Sequence, residues 1–344
     1  MRIAIIGYGG VGRAFVQLIN GKKDYLSKEG LEIKVNYIIG RKGGIYNSEG
    51  IDLKDFIEFG LKQTDIAKYS KGGNEEISIE KMLQNGDVDV VIELTATNKE
   101  TGEPGMTHIK RSLEHSIHVV TANKGPILLA YKELKDIAIK NGVQLGIGCT
   151  TGGALPAING GVIDLAGADI LSIEGVLNGT TNFIINEMEN SGVTYLEALE
   201  KAQMLGISEA DPTLDVEGWD TASKLLILTN ILMNEEKSLE DISIEGITKI
   251  TPREIKACLE KGYKYKLVGK SVNENGTIRM TVKLEELDCT HPLYGVDGKN
   301  KAVRYVSDIL GELTIIGGAS GVIPAGASVL RDLININRGY RFCK

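Results

Sequence analysis

The feature that most constrains this chain is Gly7-Tyr8-Gly9-Gly10-Val11-Gly12, which follows directly on the β-branched run Arg2 to Ile6 and precedes an apolar, helix-period stretch through Ile19. Strand, tight turn and helix in that order give each glycine a separate task. One makes the turn, one lets a ligand touch the backbone, and one lets the helix pack closely on the strand. The helix start offers unpaired N–H groups and a positive dipole end, which suit phosphate. The motif therefore predicts a dinucleotide site, with Gly7, Tyr8, Gly9, Gly10, Val11 and Gly12 as its binding residues.

The pattern continues along the chain. Strand-like runs at 33–39, 88–94, 117–121 and 143–147 alternate with helical stretches at 105–114 and 127–140. Such alternation predicts an α/β fold with a parallel, doubly wound sheet of Rossmann type. The polar stretch 46–74 is less regular and reads as a flap or a pair of short helices beside the ligand. From Gly148 the texture changes to a glycine-rich turn, a strand at 171–177, helices at 181–190, 194–206 and 218–234, and strands at 265–272 and 277–284, an α+β second domain. Short strands around Val303 and Leu313 and a last helix after Gly321 are expected to pack back on the first domain. The expected division is 1–147 with about 300–344, and 148–299.

Composition narrows the class. A chain of 344 residues suits two domains. A 42% hydrophobic, 25% charged composition is that of a globular protein rather than a disordered one, and a net charge of −7 argues against a nucleic-acid partner. There is no signal-peptide pattern and no apolar run long enough to span a bilayer, so no membrane partner and a cytoplasmic setting are expected. Cys149, Cys258, Cys289 and Cys343 show no CxxC spacing, which leaves neither a zinc site nor a disulfide framework. Cys343, beside a charged terminus, is expected to be an exposed free thiol.

The second strand closes on Gly40-Arg41-Lys42, where a carboxylate would have hydrogen-bonded the ribose of NAD. Two cations suit a 2′-phosphate instead, so Arg41 and Lys42 favour NADP(H), with NAD(H) the alternative. Ligands of open α/β sheets bind at the carboxyl ends of strands. That rule nominates Thr95, Ala96, Thr97, Thr121, Asn123, Lys124, Gly148 and Cys149, with Gly318 in the returning segment. In the second domain, Gly179 and Thr180 sit at a helix start, which can cap the helix or bind a substrate carboxylate. Glu209, Asp211 and Asp215 place three acids within seven residues. Asp220 and Lys224, four apart, share a helix face; their spacing equally describes an exposed ion pair worth about 0.3–0.5 kcal/mol.

NKGP at 123–126, the GGALP turn, LNGTTNFI, AQMLGISEADPTLDVEGWDTASKL at 202–225 and the N-terminal GYGGVG together resemble the homoserine dehydrogenase family, in order and over nearly the whole chain. The central block is specific to that family, whereas the glycine motif is widely shared. The resemblance implies a Rossmann domain, a substrate-binding and dimerisation domain, and a homodimer. It also implies hydride transfer between NAD(P)H and L-aspartate 4-semialdehyde, giving L-homoserine, in threonine, methionine and isoleucine biosynthesis. Carried over by residue, it makes Lys224 the general acid/base, Lys124 a second lysine at the reacting oxygen, Asp220 an orienting group, and Glu209 and Asp215 partners of the substrate ammonium. Two lysines at one oxygen fit a reaction that develops alkoxide charge and then needs a proton.

Members of the family often hold a monovalent cation in the turn after the fifth strand. Here Gly148 takes the place of the acid, leaving carbonyls near Thr151, Gly153 and Leu155 for Na+ or K+. The likeness gives His291 a structural role in a loop returning toward the cofactor. No aspartate kinase segment precedes the first domain and no regulatory extension follows, so the chain is expected to be monofunctional. Two other readings compete. An aldehyde-oxidising semialdehyde dehydrogenase would use Cys149 as thiolate, but no histidine stands beside it in sequence. A non-catalytic NADP-sensing protein would have no use for both Lys124 and Lys224.

Overall fold

The computed structural model describes residues 1–343. The chain divides into two compact units: residues 1–154 together with the segment from Gly321 onward, and Leu155–Ser320.

The first unit runs β1 (Arg2–Ile6), α1 (Gly10–Gly21), α2 (Lys23–Lys28), β2 (Lys34–Gly40), β3 (Gly43–Tyr46), α3 (Leu53–Gly60), β4 (Gly73–Asn74), α4 (Ile79–Asn85), β5 (Val90–Glu93), α5 (Gly105–Glu114), β6 (His118–Thr121), α6 (Lys124–Lys140) and β7 (Leu145–Gly146). Strands β2, β1, β5, β6 and β7 are neighbours in that order and all parallel, as the alternation predicts. The chain leaves β1 toward β2 on one side and returns to β5 on the other, so the crevice beyond the end of β1 is the topological switch point. Every residue of β5 is buried, which is why Val-Val-Ile leads it. Ile3, Ile5 and Ile92 share a core with Phe15 and Val16 of α1.

Beyond β2 the sheet continues antiparallel through β3 and β4. The sequence expectation lacks these edge strands because they are glycine-rich and only four and two residues long, and such runs read as turns. Between them lie α3, capped by the Asp52 carboxylate, and a short 3-10 turn at Ile66–Lys68.

The second unit contains α7 (Ala157–Asn159), β8 (Ile170–Val176), α8 (Gly179–Ser191), α9 (Tyr195–Met204), α10 (Thr213–Val216), α11 (Trp219–Leu232), β9 (Ile242–Ile244), α12 (Pro252–Glu260), β10 (Lys264–Glu274), β11 (Thr277–Leu287), β12 (Lys301–Ser307) and β13 (Glu312–Gly317). Its sheet has the order β13-β12-β8-β10-β11-β9. Helix α11 packs on one face through Gly269, where a Cβ would stand 3.0 Å from Thr221 Cγ2. Helix starts follow local chemistry: Asn178 caps α8, and Thr194–Glu197 and Thr251–Glu254 form capping boxes on α9 and α12.

Two expectations need correcting. Strands β12 and β13 do not return to the first domain; β12 pairs antiparallel with β8 and β13, so the return begins at Gly321, not near residue 300. Apolar alternation fixes a strand's buried face but not the sheet it joins. What returns is α13 (Val322–Asn337), drawn close to α1 by Gly326, where a Cβ would lie 3.1 Å from the Phe15 nitrogen. Cys343 is buried rather than exposed, because the tail after α13 folds onto Gln144, whose Oε1 accepts from the Phe342 and Cys343 N–H groups at 2.7 and 3.1 Å. Among the described residues no helix is long and apolar enough to cross a membrane.

Candidate active site

The first unit carries a cleft of about 1090 Å³ at the switch point, walled by Gly7 to Val11, Arg41, Lys42, Thr95 and Ala96. Its glycines divide their work as the motif predicts. Gly7 has φ +98°, and a Cβ on it would stand 2.6 Å from the Leu94 carbonyl carbon, so it makes the turn. Gly12 sits under the Gly7 carbonyl, 2.4 Å from where a Cβ would be, so it lets α1 approach the strand. A Cβ on Gly9 would find only open space within 4 Å beyond its chain neighbours. Gly9 caps α1 without a side-chain hydrogen bond, leaving bare backbone N–H groups at the helix start. This cradle fits a pyrophosphate. Arg41 and Lys42 are exposed on the cleft wall, and Ile66, Ile77 and Ile79 add apolar surface. Tyr8 packs against Phe56 with the rings tilted at 46° and Arg13 over its own ring, and burial raises its phenol above the usual value.

Of the other nominated residues, Thr121 and Asn123 lie beneath the cleft in a hydrogen-bond network with Thr95. Gly148 donates its N–H to Asp332 Oδ2 at 2.7 Å, so a buried carboxylate from α13 reaches the turn after β7. Cys149 is buried, its Sγ 3.6 Å from the Ala325 carbonyl. Gly318 belongs to the second unit and packs on Leu155. Around the turn suggested for a cation, the Leu155 carbonyl accepts the Ala157 N–H at 2.9 Å and Gly153 N donates to the Cys149 carbonyl at 3.2 Å. Thr151 is fully buried with no hydrogen-bond partner for its hydroxyl.

The second unit gathers Asp215, Asp220 and Lys224 around Asn178. Lys224 Nζ donates to Asp220 Oδ2 at 2.5 Å and to the Leu177 carbonyl at 2.8 Å. Asn178 Nδ2 donates to Asp220 Oδ2 at 2.9 Å and Asp215 Oδ1 at 2.8 Å, while its Oδ1 accepts the Thr181 N–H that starts α8. The Asp220–Lys224 pair is not the exposed helix-face pair that its spacing permits: the side chains are only 12% and 13% exposed. An ammonium has three donors, and Asp220 and Leu177 take two, so one is directed elsewhere. Gly179 lies against the Lys299 carbonyl, 2.8 Å from where its Cβ would be, and the Thr180 hydroxyl donates to the Ile207 carbonyl. Glu209 is exposed; its backbone carbonyl accepts from Gln203.

Two family models cover the chain: homoserine dehydrogenase, NAD binding domain, over residues 7–147, and homoserine dehydrogenase over residues 156–334. A homoserine dehydrogenase from Methanocaldococcus jannaschii is 40% identical over 336 residues, 98% of each chain. The chain belongs to the homoserine dehydrogenase family. Its members are NAD(P)-dependent oxidoreductases, and this chain is such an enzyme, built to bind a pyridine nucleotide. An NAD(+)-dependent homoserine dehydrogenase from Pseudomonas canavaninivorans is 33% identical over 98% of this chain and 96% of its own. A hyperthermophilic archaeal homoserine dehydrogenase mutant, solved in complex with NADPH, superposes with a TM-score of 0.84 at 26% identity, covering 100% of this chain and 99% of that one.

Within this family member, residue-by-residue reasoning missed Asn178, whose signal was its place at the helix start in LNGTTNFI, and Asp332, which nothing local marks because the fold brings it from α13. His291 stands 3.3 Å from Glu174 in an ion-pair cluster with Lys270 and Arg304, in keeping with a structural role.

Proposed function

We propose that this homoserine dehydrogenase interconverts L-homoserine and L-aspartate 4-semialdehyde with NADP(H), using Lys224 and Lys124 at the reacting oxygen. The observation that carries the reading is Lys224: a largely buried ammonium, held by Asp220 and the Leu177 carbonyl, with one donor left for a substrate oxygen. The bound nicotinamide supplies or accepts the hydride. The protein's part is to stabilise the charge that develops on the oxygen and to move its proton. Asp220 keeps Lys224 aimed and Asn178 keeps Asp220 aimed, so the ammonium need not reorganise during reaction. Asp215, at the edge of the same cluster, and Glu209 supply anionic groups for the substrate ammonium. Gly179 and Thr180 present backbone at the start of α8.

The NADP preference rests on Arg41 and Lys42, exposed on the cleft wall with no carboxylate at the end of β2 to repel a phosphate. A cytoplasmic place in threonine, methionine and isoleucine biosynthesis and a homodimer belong to the same reading, on the family likeness. Lys224→Ala and Lys124→Ala should each lower turnover by about 10²–10⁴ with the fold retained. Wild-type turnover in Lys224→Ala would remove its acid/base role.

A further inference from the structure

A carboxylate is buried where a central strand should be apolar. Glu93 ends β5 with no exposed surface, in a sheet covered on both faces. Leaving such a group uncompensated is expensive, and an apolar residue would serve stability as well or better. The surroundings show how it is compensated. One oxygen accepts from the Thr95 N–H at 3.0 Å and from the Thr95 hydroxyl, and the other shares the Thr121 hydroxyl proton with the Glu93 backbone carbonyl, both at 3.0 Å. His108 Nδ1 stands 3.7 Å away with no hydrogen-bond partner of its own. The start of α5 also faces the group: a Cβ on Gly105 would be 3.2 Å from Glu93 Oε2 and 2.5 Å from Asn123 Nδ2. A side chain at 105 would therefore displace the network, and the positive end of α5 offsets the charge.

The contacts close a ring. Asn123 N–H donates to the Thr121 hydroxyl at 2.9 Å, and Asn123 Nδ2 donates to the Thr95 hydroxyl at 3.3 Å. Both threonine hydroxyls thus accept from Asn123 and donate to Glu93. Asn123 then caps α6 by accepting the Gly125 N–H at 3.2 Å. Lys124 is the first residue of that helix. The ring also reaches the cleft, because Thr95 and His108 line its wall.

We propose that Glu93 is a positioning residue that locks the Thr95 turn of the cofactor cleft to the start of α6 and so fixes Lys124. The proposal rests on the reading that Lys124 acts at the reacting oxygen. Glu93→Gln keeps the shape but removes the charge and leaves a single side-chain oxygen for the Thr95 N–H, the Thr95 hydroxyl and the Thr121 hydroxyl, which now share two. Thr121→Val removes the same link from the other side. The test measures kcat, KM for L-homoserine, NADPH dissociation constant and Tm in the full-length protein for Glu93→Gln, Thr121→Val, Lys124→Ala and the Glu93→Gln/Lys124→Ala double variant.

A lock on Lys124 predicts kcat down by about tenfold or more in Glu93→Gln and Thr121→Val, with homoserine KM within about twofold. It also predicts that Glu93→Gln adds nothing once Lys124 is gone, the non-additivity of residues acting as one unit. Equal losses in both backgrounds, or kcat within about twofold of wild type beside an impaired Lys124→Ala, would overturn the proposal alone. Wild-type turnover in Lys124→Ala would instead remove the reading on which it rests. If Glu93→Gln does not fold, Thr121→Val, alone and combined with Lys124→Ala, decides on the same criteria.

Discussion

Arg41 shows how one side chain can set cofactor choice. It is exposed on the cleft wall, so removing it unsatisfies no partner among the described residues and the fold should not respond. A charge-assisted contact to a 2′-phosphate would be lost, while NAD has no such group to lose. Arg41→Ala should therefore raise KM for NADP by about tenfold or more and leave KM for NAD within about twofold, a contrast read from steady-state kinetics with both cofactors. Equal effects on the two would show that Arg41 does not meet the phosphate. The same scale shows why some residues are legible from sequence and others are not. The pairing of Lys224 with Asp220 is visible because their spacing is a property of one helix, whereas its burial is not and their roles came from the family resemblance. Asn178 receives its role from Asp215 and Asp220, 37 and 42 residues away, and Asp332 meets Gly148 across 184 residues, separations that no local pattern encodes.

Among the elements, the turn from β1 to α1 separates ligand binding from packing. Gly12→Ala would press a methyl group against the Gly7 carbonyl at 2.4 Å, costing about 1–3 kcal/mol and lowering both Tm and NADPH affinity. Gly9→Ala meets no protein atom, so it should leave Tm unchanged while weakening NADPH binding in a fluorescence titration. A Gly9→Ala variant that binds NADPH as wild type does would mean that the cofactor does not approach this backbone. In the second sheet, Glu174 of β8 bridges Lys270 of β10 and Arg304 of β12. Burial alone would raise its pKa, but the hydrogen bonds from Lys270 and Arg304 prevail and hold it below the ordinary 4.5. A carboxyl with a depressed folded value contributes stability above its unfolded pKa and loses it as pH falls through the folded one. Glu174→Gln should thus cost about 1–3 kcal/mol near neutral pH, with the Tm gap to wild type closing in acid below about pH 4. A gap independent of pH would assign the loss to packing instead. The parallel core of the first sheet was legible because βαβ alternation is a long-range rule written locally. The edge strands β3 and β4 were not, being too short and glycine-rich to show a period.

For the whole molecule, the sequence carries the order of the elements better than the ends of the units. The expected second boundary missed by about twenty residues because β12 takes its place through pairing with β8, a contact across more than a hundred residues, and β13 follows by pairing with β12. The substrate assignment depends least on such details, since it rests on the family and on the Lys224 cluster. The direct test is to give the intact chain L-homoserine with NADP, follow nicotinamide reduction, and trap the carbonyl product for identification by mass. The account predicts NADPH formation matched one-to-one by aspartate 4-semialdehyde, at a kcat/KM for NADP above that for NAD. Nucleotide binding without reduction in the presence of L-homoserine, or a carbonyl product other than the 4-semialdehyde, would contradict it.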